Sequence, residues 1–267
     1  MSGLGSGKSV VLQNNGANNQ TVASPSSTFS FPSQADLSGY SVSVLTQPVG
    51  QTCLVTNGTG TLAGANVTNV LVTCTNTTYT VGGSISGLSA AGLTLTLSGS
   101  QSGTVSPASG ATSYSFTQTV VNGNSYTVSI GAQPTGQTCT LSSPATGTVG
   151  TSNIVVDVSC TVNAYTIAVT NTSAAAVTIT GSTATNATNP NSATSFNFSA
   201  KHGDNVSLSA TKAGSTCSVA TTPVSINPIT GNATATVSCT LNTYSVGGSN
   251  TDGASVSIAG SSITGQS

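Results

Sequence analysis

Six cysteines stand in three pairs at one repeated spacing, and that ladder limits what this chain can fold into. Gln47-Pro48-Val49-Gly50-Gln51-Thr52-Cys53 returns as Gln133-Pro134-Thr135-Gly136-Gln137-Thr138-Cys139, and more weakly as Thr211-Lys212-Ala213-Gly214-Ser215-Thr216-Cys217. A second cysteine follows after 21, 21 and 22 residues, as Cys74, Cys160 and Cys239. Six cysteines allow many connectivities. Repetition of the spacing selects pairing within each repeat: Cys53–Cys74, Cys139–Cys160 and Cys217–Cys239. Zinc fits poorly, because no Cys-x-x-Cys or neighbouring His supplies four ligands per unit. Disulfides imply an oxidising compartment, so the expected location is extracellular or at the cell surface.

Two further markers share the period. Tyr79-Thr80-Val81-Gly82-Gly83 returns as Tyr165-Thr166-Ile167 and as Tyr244-Ser245-Val246-Gly247-Gly248. An aromatic pair precedes each first cysteine: Phe29/Phe31, Tyr114/Phe116 and Phe196/Phe198. Repeats of about 80 residues are long enough to be small domains on a string rather than coils of a thin solenoid.

Composition says what the units are made of. Charged residues are only 3% of the chain, against roughly 25% in an average globular domain. Arg and Glu are absent, and Ser, Thr, Asn and Gly carry the polarity. Val and Thr favour pleated strands, where branched side chains pack well. No long window has helical spacing. In the middle unit, Tyr79–Ile85, Leu93–Leu97, Tyr114–Val120, Tyr126–Ile130, Thr138–Leu141 and Ile154–Cys160 read as strands, most of them alternating apolar and polar residues. Alternation places one face on a core and one in water. Turn residues such as Asn122-Gly123-Asn124 separate the runs. The expected fold is all-β: a tandem array of three small disulfide-stapled immunoglobulin-like β-sandwiches and a C-terminal partial repeat. The expected boundaries are 1–78, 79–164, 165–243 and 244–267. The chain has no Trp to pack on the bridge. Each disulfide lies late in its unit and is expected to join neighbouring strands.

Several stretches resemble tandem repeats of large secreted or surface-anchored bacterial proteins: Tyr79–Gly83, Gly87–Leu88, Val10–Gly16, Gln47–Cys53 and Asn66–Cys74. The resemblance spans nearly the whole chain. It is weakest in the third unit, which has Lys201-His202-Gly203-Asp204 and no Gln-Pro. It implies spacers, adhesin stalks or fibre subunits, with no catalytic residues to carry over.

Other chemistry finds little support. The net charge of −1 gives no attraction for nucleic acid or anionic lipid, and low charge favours self-association. No apolar run reaches the length of a membrane span. Residues 1–8 lack the apolar core of a signal peptide, so an export signal is expected outside this chain and Met1 reads as an added start. His202, beside Lys201 and Asp204, is the one candidate triad base, yet no Gly-x-Ser-x-Gly elbow occurs and the other units lack the His. The four Asp are too scattered for a calcium cage, and Asp157 reads as an outward strand residue. The middle unit has no Lys for an isopeptide crosslink. Twisted strands do not offer the flat Thr lattice of an ice binder, and the aromatics recur at matching places, as core residues do. Sequons such as those at Asn57, Asn66, Asn186 and Asn232 are common in a chain this rich in Asn, Ser and Thr. The chain is therefore read as non-enzymatic, with no cofactor, metal or small-molecule substrate.

The ends pose a question of frame. Ser2-Gly3-Leu4 matches Ser86-Gly87-Leu88, so the first unit has no Tyr strand before it, while Tyr244, Ser245, Val246, Gly247 and Gly248 form a surplus Tyr strand at the other end. If the Tyr strand opens a unit, the first unit lacks it, and the tail of another copy is a candidate donor strand for head-to-tail polymers. If the Tyr strand closes a unit, all three units are complete and only the last residues dangle. A cut through a longer array explains the same ends, leaving a passive adhesin stalk as the alternative to a fibre or matrix subunit, and a ligand- or ice-binding module as a minor one.

A bridge closing a loop of this length stabilises by roughly 3 kcal/mol in the chain-entropy model, and this chain has few charges with which to replace it. Reduction is expected to destabilise each repeat well beyond ~1 kcal/mol in urea denaturation; a smaller loss contradicts the structural role of the bridges.

Overall fold

A computed structural model of the chain describes residues 1–142, 144–181, 193–223, 225–245, 247–249 and 252. Among these residues the chain is all-β, without a helix. It falls into two compact units, Met1–Ala164 and Tyr165–Ser267.

The first repeat contributes β1 (Ser9–Asn14), β2 (Ala17–Ala23), β3 (Gly39–Thr46), β4 (Gln51–Thr56), β5 (Thr59–Thr61) and β6 (Leu71–Asn76). The second contributes β7 (Thr78–Ser86), β8 (Thr94–Gly99), β9 (Gly103–Val105), β10 (Ser113–Val121), β11 (Ser125–Ala132), β12 (Gln137–Leu141), β13 (Thr146–Thr148), β14 (Ile154–Val155) and β15 (Val158–Val162). In the second unit follow β16 (Ala164–Thr170), β17 (Ala176–Thr180), β18 (Ser195–Lys201), β19 (Ser207–Thr211), β20 (Ser215–Thr222) and β21 (Ala233–Leu241).

The second repeat shows the full plan. One sheet runs β10-β7-β15-β12, with β14 also on β7; the other runs β13-β11-β8-β9. Both sheets turn their apolar alternation onto one core that holds Val81, Leu95, Phe116, Val128, Val156 and Val158. Period-two alternation produces this directly: β10 buries Tyr114, Phe116 and Val120 and exposes the residues between most of them. The run Ile154–Cys160 is split, because Val156 and Asp157 stand between β14 and β15. Sequence pattern misses β9 and β13, each three residues long, because so short a run carries no readable period.

β7 antiparallels β10 and lies parallel to β14 and β15. All three partners come after it in the chain. β16 likewise pairs β21 in parallel and sits between β18 and β21. β7 and β16 are therefore each a central strand of a sheet built with strands that follow them in the chain.

Each disulfide crosses a directly opposed antiparallel pair, Cys53↔Cys74, Cys139↔Cys160 and Cys217↔Cys239. The Cys53 and Cys74 amides donate elsewhere, to Gln47 Oε1 (2.7 Å) and Ser2 O (2.9 Å). The two cysteines are thus a non-hydrogen-bonded pair, the closer of the two antiparallel kinds, with Cα atoms 3.9 Å apart.

The glutamines of the repeated motif act as substitute backbone. Gln47 Oε1 accepts from Cys53 N and its Nε2 donates to Cys53 O, and Gln133 does the same at Cys139. Gln137 is buried; its Oε1 accepts from Ser89 N and Ala90 N, and its Nε2 donates to Gly87 O. The third repeat has neither glutamine, and there Ser173 Oγ accepts from Cys239 N. Gln137→Ala strips three part-buried backbone groups of their partners. It is expected to cost about 1–3 kcal/mol in urea denaturation; an unchanged midpoint contradicts the clamp.

Candidate functional site: an open strand position in the first repeat

The first repeat builds one sheet like its neighbour's, β2-β1-β3-β5, matching β9-β8-β11-β13. Its second sheet is reduced to the pair β4-β6, matching β12-β15. Among the described residues no strand takes the central place that β7 holds in the second repeat. Ser2 bridges Thr73 in parallel, as Ser86 bridges Ser159 in the second repeat. Ser2 N donates to Val72 O and Cys74 N donates to Ser2 O, both at 2.9 Å. Among the described residues no other strand pairs this edge of β6.

Its flanks reflect the loss. Phe29 and Phe31 match Tyr114 and Phe116, and both pairs meet edge to face, with ring centroids 5.9 and 5.8 Å apart. Tyr114 and Phe116 lie on β10, which depends on β7 for its ladder. Residues 24–38 form no strand, because the strand that would pair them is absent. Phe29 and Phe31 are half-buried where Tyr114 and Phe116 are buried. The first core has six fully buried apolar residues against seventeen in the second, the difference expected when a central strand and its paired flank are withdrawn. Between the flanks is a cavity of roughly 920 Å³, lined by Met1, Phe29, Phe31, Tyr40, Val67 and Val70 among others.

The open edge is polar as well as apolar. Cys53↔Cys74 and Val55↔Val72 fall at alternating register positions of β4-β6. By that alternation Val72 turns its backbone away from β4, and its O accepts from Ser2 N. In the second repeat this edge is met by β7: Val158, the counterpart of Val72, pairs Ile85, and upstream Val156 N donates to Gly82 O at 2.8 Å.

Other contacts show how a Tyr strand is held once seated. Thr80 N donates to Asn153 Oδ1, and Thr166 N donates to Asn232 Oδ1. Tyr79 and Tyr165 are half-buried against their own cores. Ser84 donates to Asp157 Oδ1 through both N and Oγ, at 2.8 and 2.7 Å. Those bonds, backbone first, hold the Asp157 carboxyl below its ordinary range. Tyr114 OH donates to Val156 O at 2.7 Å, and burial, aided by the Asp157 charge, pushes its pKa up to about 12. Asp157, in the break between β14 and β15 rather than on a strand, therefore staples β7.

The tail contrasts with the seated strands. Tyr244 is 85% exposed, and Ser245, Gly247, Gly248 and Ser249 are exposed too. Val246 lies outside the described residues. Among the described residues, then, one unit has a strand position that no strand takes, and the other has exposed residues that repeat the Tyr-strand sequence. Sequence comparison of the two ends pointed to the pair; the cavity and the unformed Phe29–Phe31 strand carried no sequence signal.

The His202 ring lies 6.1 Å from that of Tyr165, and its Nδ1 is buried with no hydrogen-bond partner among the described residues. Asp204 Oδ2 accepts from Lys201 N. No group of three or more His, Cys, Asp or Glu among the described residues could hold a metal ion.

No family model matches the chain, and no curated protein matches it. Among solved structures, the chain is similar to two B repeat units of the collagen binding protein of Staphylococcus aureus, at 14% identity and a TM-score of 0.22, covering 86% of this chain and 69% of that one.

The staple makes a pH prediction. Asp157 has a lowered folded pKa, so its contribution is present above the ordinary carboxylate range and lost as pH falls through the folded value. Tyr114 has a raised pKa, so its contribution is full below about 10 and lost as pH rises through about 12. Asp157→Asn is expected to speed hydrogen exchange at the Ser84 amide and to abolish its added acid sensitivity. An unchanged acid limb in that variant removes Asp157 from the account.

Proposed function

We infer that this chain is a non-enzymatic structural subunit of an extracellular bacterial fibre or matrix. It comprises three immunoglobulin-like sandwich repeats, 1–78, 79–164 and 165–243, and a tail, 244–267, that completes the first repeat of another copy. The observation that carries this reading is the open central-strand position of the first repeat, in a chain whose tail repeats the sequence of the strand that fills it elsewhere. Burial of backbone hydrogen bonds and of the half-exposed Phe29–Phe31 flank supplies the driving force. A donor at one end and an acceptor at the other make a heterologous contact, which propagates as a filament when the rotation does not close. Near-neutral charge leaves little repulsion between copies. Disulfides on a low-charge surface suit an oxidising exterior.

Deleting residues 244–267 tests it. Negative-stain microscopy of the 267-residue protein is expected to show long uniform filaments, and of the truncated protein short separate rods. Filaments from the truncated protein contradict tail donation. Monomeric rods from both proteins support the passive stalk of a surface adhesin instead.

A further inference from the structure

Resting on the strand-donation reading, the second repeat fixes what the cleft accepts. The three Tyr strands are of two kinds. β7 reads Tyr79-Thr-Val-Gly-Gly-Ser84, and the tail reads Tyr244-Ser-Val-Gly-Gly-Ser249. β16 reads Tyr165-Thr-Ile-Ala-Val-Thr170, without glycine. The difference follows from the neighbours. A Cβ on Gly83 would lie 2.2 Å from Val156 O, and one on Gly82 would lie 2.5 Å from Tyr114 O. Val156 is the residue that stands between β14 and β15. β21, the corresponding strand of the third repeat, runs unbroken from Ala233 to Leu241 and pairs Ala168 and Val169 in regular register. Gly-Gly therefore belongs to one type of repeat and Ala-Val to the other.

The first repeat is of the Gly-Gly type by its own residues. It shares the Gln-Pro-x-Gly-Gln-Thr-Cys motif, both glutamine clamps and the 21-residue cysteine spacing with the second repeat. Counted back from the second cysteine, Val70 takes the place of Val156. The edge-to-face pair puts Phe29 in the place of Tyr114.

We propose that the cleft of the first repeat is a selective binding site for a six-residue extended segment, Tyr244–Ser249 of a second copy, read through its diglycine. The register follows from the Ser2–Thr73 bridge. The segment runs parallel to β6 and ends against the acceptor's Met1. Gly248 faces Val70, and Gly247 faces the Phe29 flank. Val70 N donates to Gly247 O, as Val156 N does to Gly82 O in the second repeat. The donor cannot be a generic apolar strand, because side chains at the two glycine positions meet backbone on both sides.

The test keeps the full chain. In one arm the tail is given the β16 residues, Val246→Ile, Gly247→Ala and Gly248→Val. These changes add apolar surface in an exposed segment and leave the three repeats intact. In a second arm the unmodified chain is mixed with a peptide of Tyr79–Ser84 or one of Tyr165–Thr170. Sedimentation velocity and negative stain are the readouts, and circular dichroism checks the fold. The expected results are loss of polymer in the triple variant, and filaments shortened about tenfold or more by the first peptide but not the second. Filaments from the triple variant, or equal capping by both peptides, overturn diglycine selection and leave strand donation standing. An unmodified chain that stays monomeric at all concentrations overturns both. A monomer with its own tail protected identifies the occupant as the same chain and overturns the second-copy assignment.

Discussion

A central strand needs a neighbour on each side, and among the described residues the first repeat has the neighbours without the strand. In the second repeat β7 satisfies the backbone of β10 on one side and of β14 and β15 on the other. In the third, β16 plays the same part between β18 and β21. Without such a strand the adjoining aromatic segment has no ladder partner, and its two rings are only half-buried. The first repeat shows both features, while its other sheet keeps the common order.

The repeats tolerate this because their other half is fastened independently. The cysteine pair joins β4 to β6, and Gln47 clamps β4 on the side away from the place of the Tyr strand. Gln51 Nε2 holds Gly3 O, and Gln51 Oε1 accepts from Gly5 N, so the first residues are tied down without the Tyr strand. Side-chain amides and disulfides do here what ion pairs do in more highly charged proteins. Asp157 staples β7 in the second repeat, and the first repeat has Leu71 at the corresponding position.

Much of this is legible in the sequence. The strands of the middle repeat announce themselves by alternation, and the all-β character follows from Val, Thr and turn residues. The spacing of the cysteines is as plain in the text as in the fold. Less legible is anything that depends on which strand lies beside which. Tyr79–Gly83 closes one unit or opens the next with equal plausibility until its partners are known. The motif glutamines repeat conspicuously, yet nothing in Gln-Pro-x-Gly-Gln says that both side chains stand in for backbone. The meaning of the diglycine was hidden for the same reason. It is set by Val156 and Tyr114, which are distant in sequence, and becomes readable only when β16, with Ala168 and Val169, is set beside β7.

The central claim is that the open position is filled by a strand from another copy. Hydrogen exchange of the full chain, followed peptide by peptide as concentration is raised, tests it most directly. The account predicts that amides of residues 66–70 and 244–249 gain protection together, in step with assembly, while the β4–β6 pairing stays protected throughout. Assembly that leaves both segments exchanging freely, or protection at residues 66–70 already complete in the monomer, would contradict it.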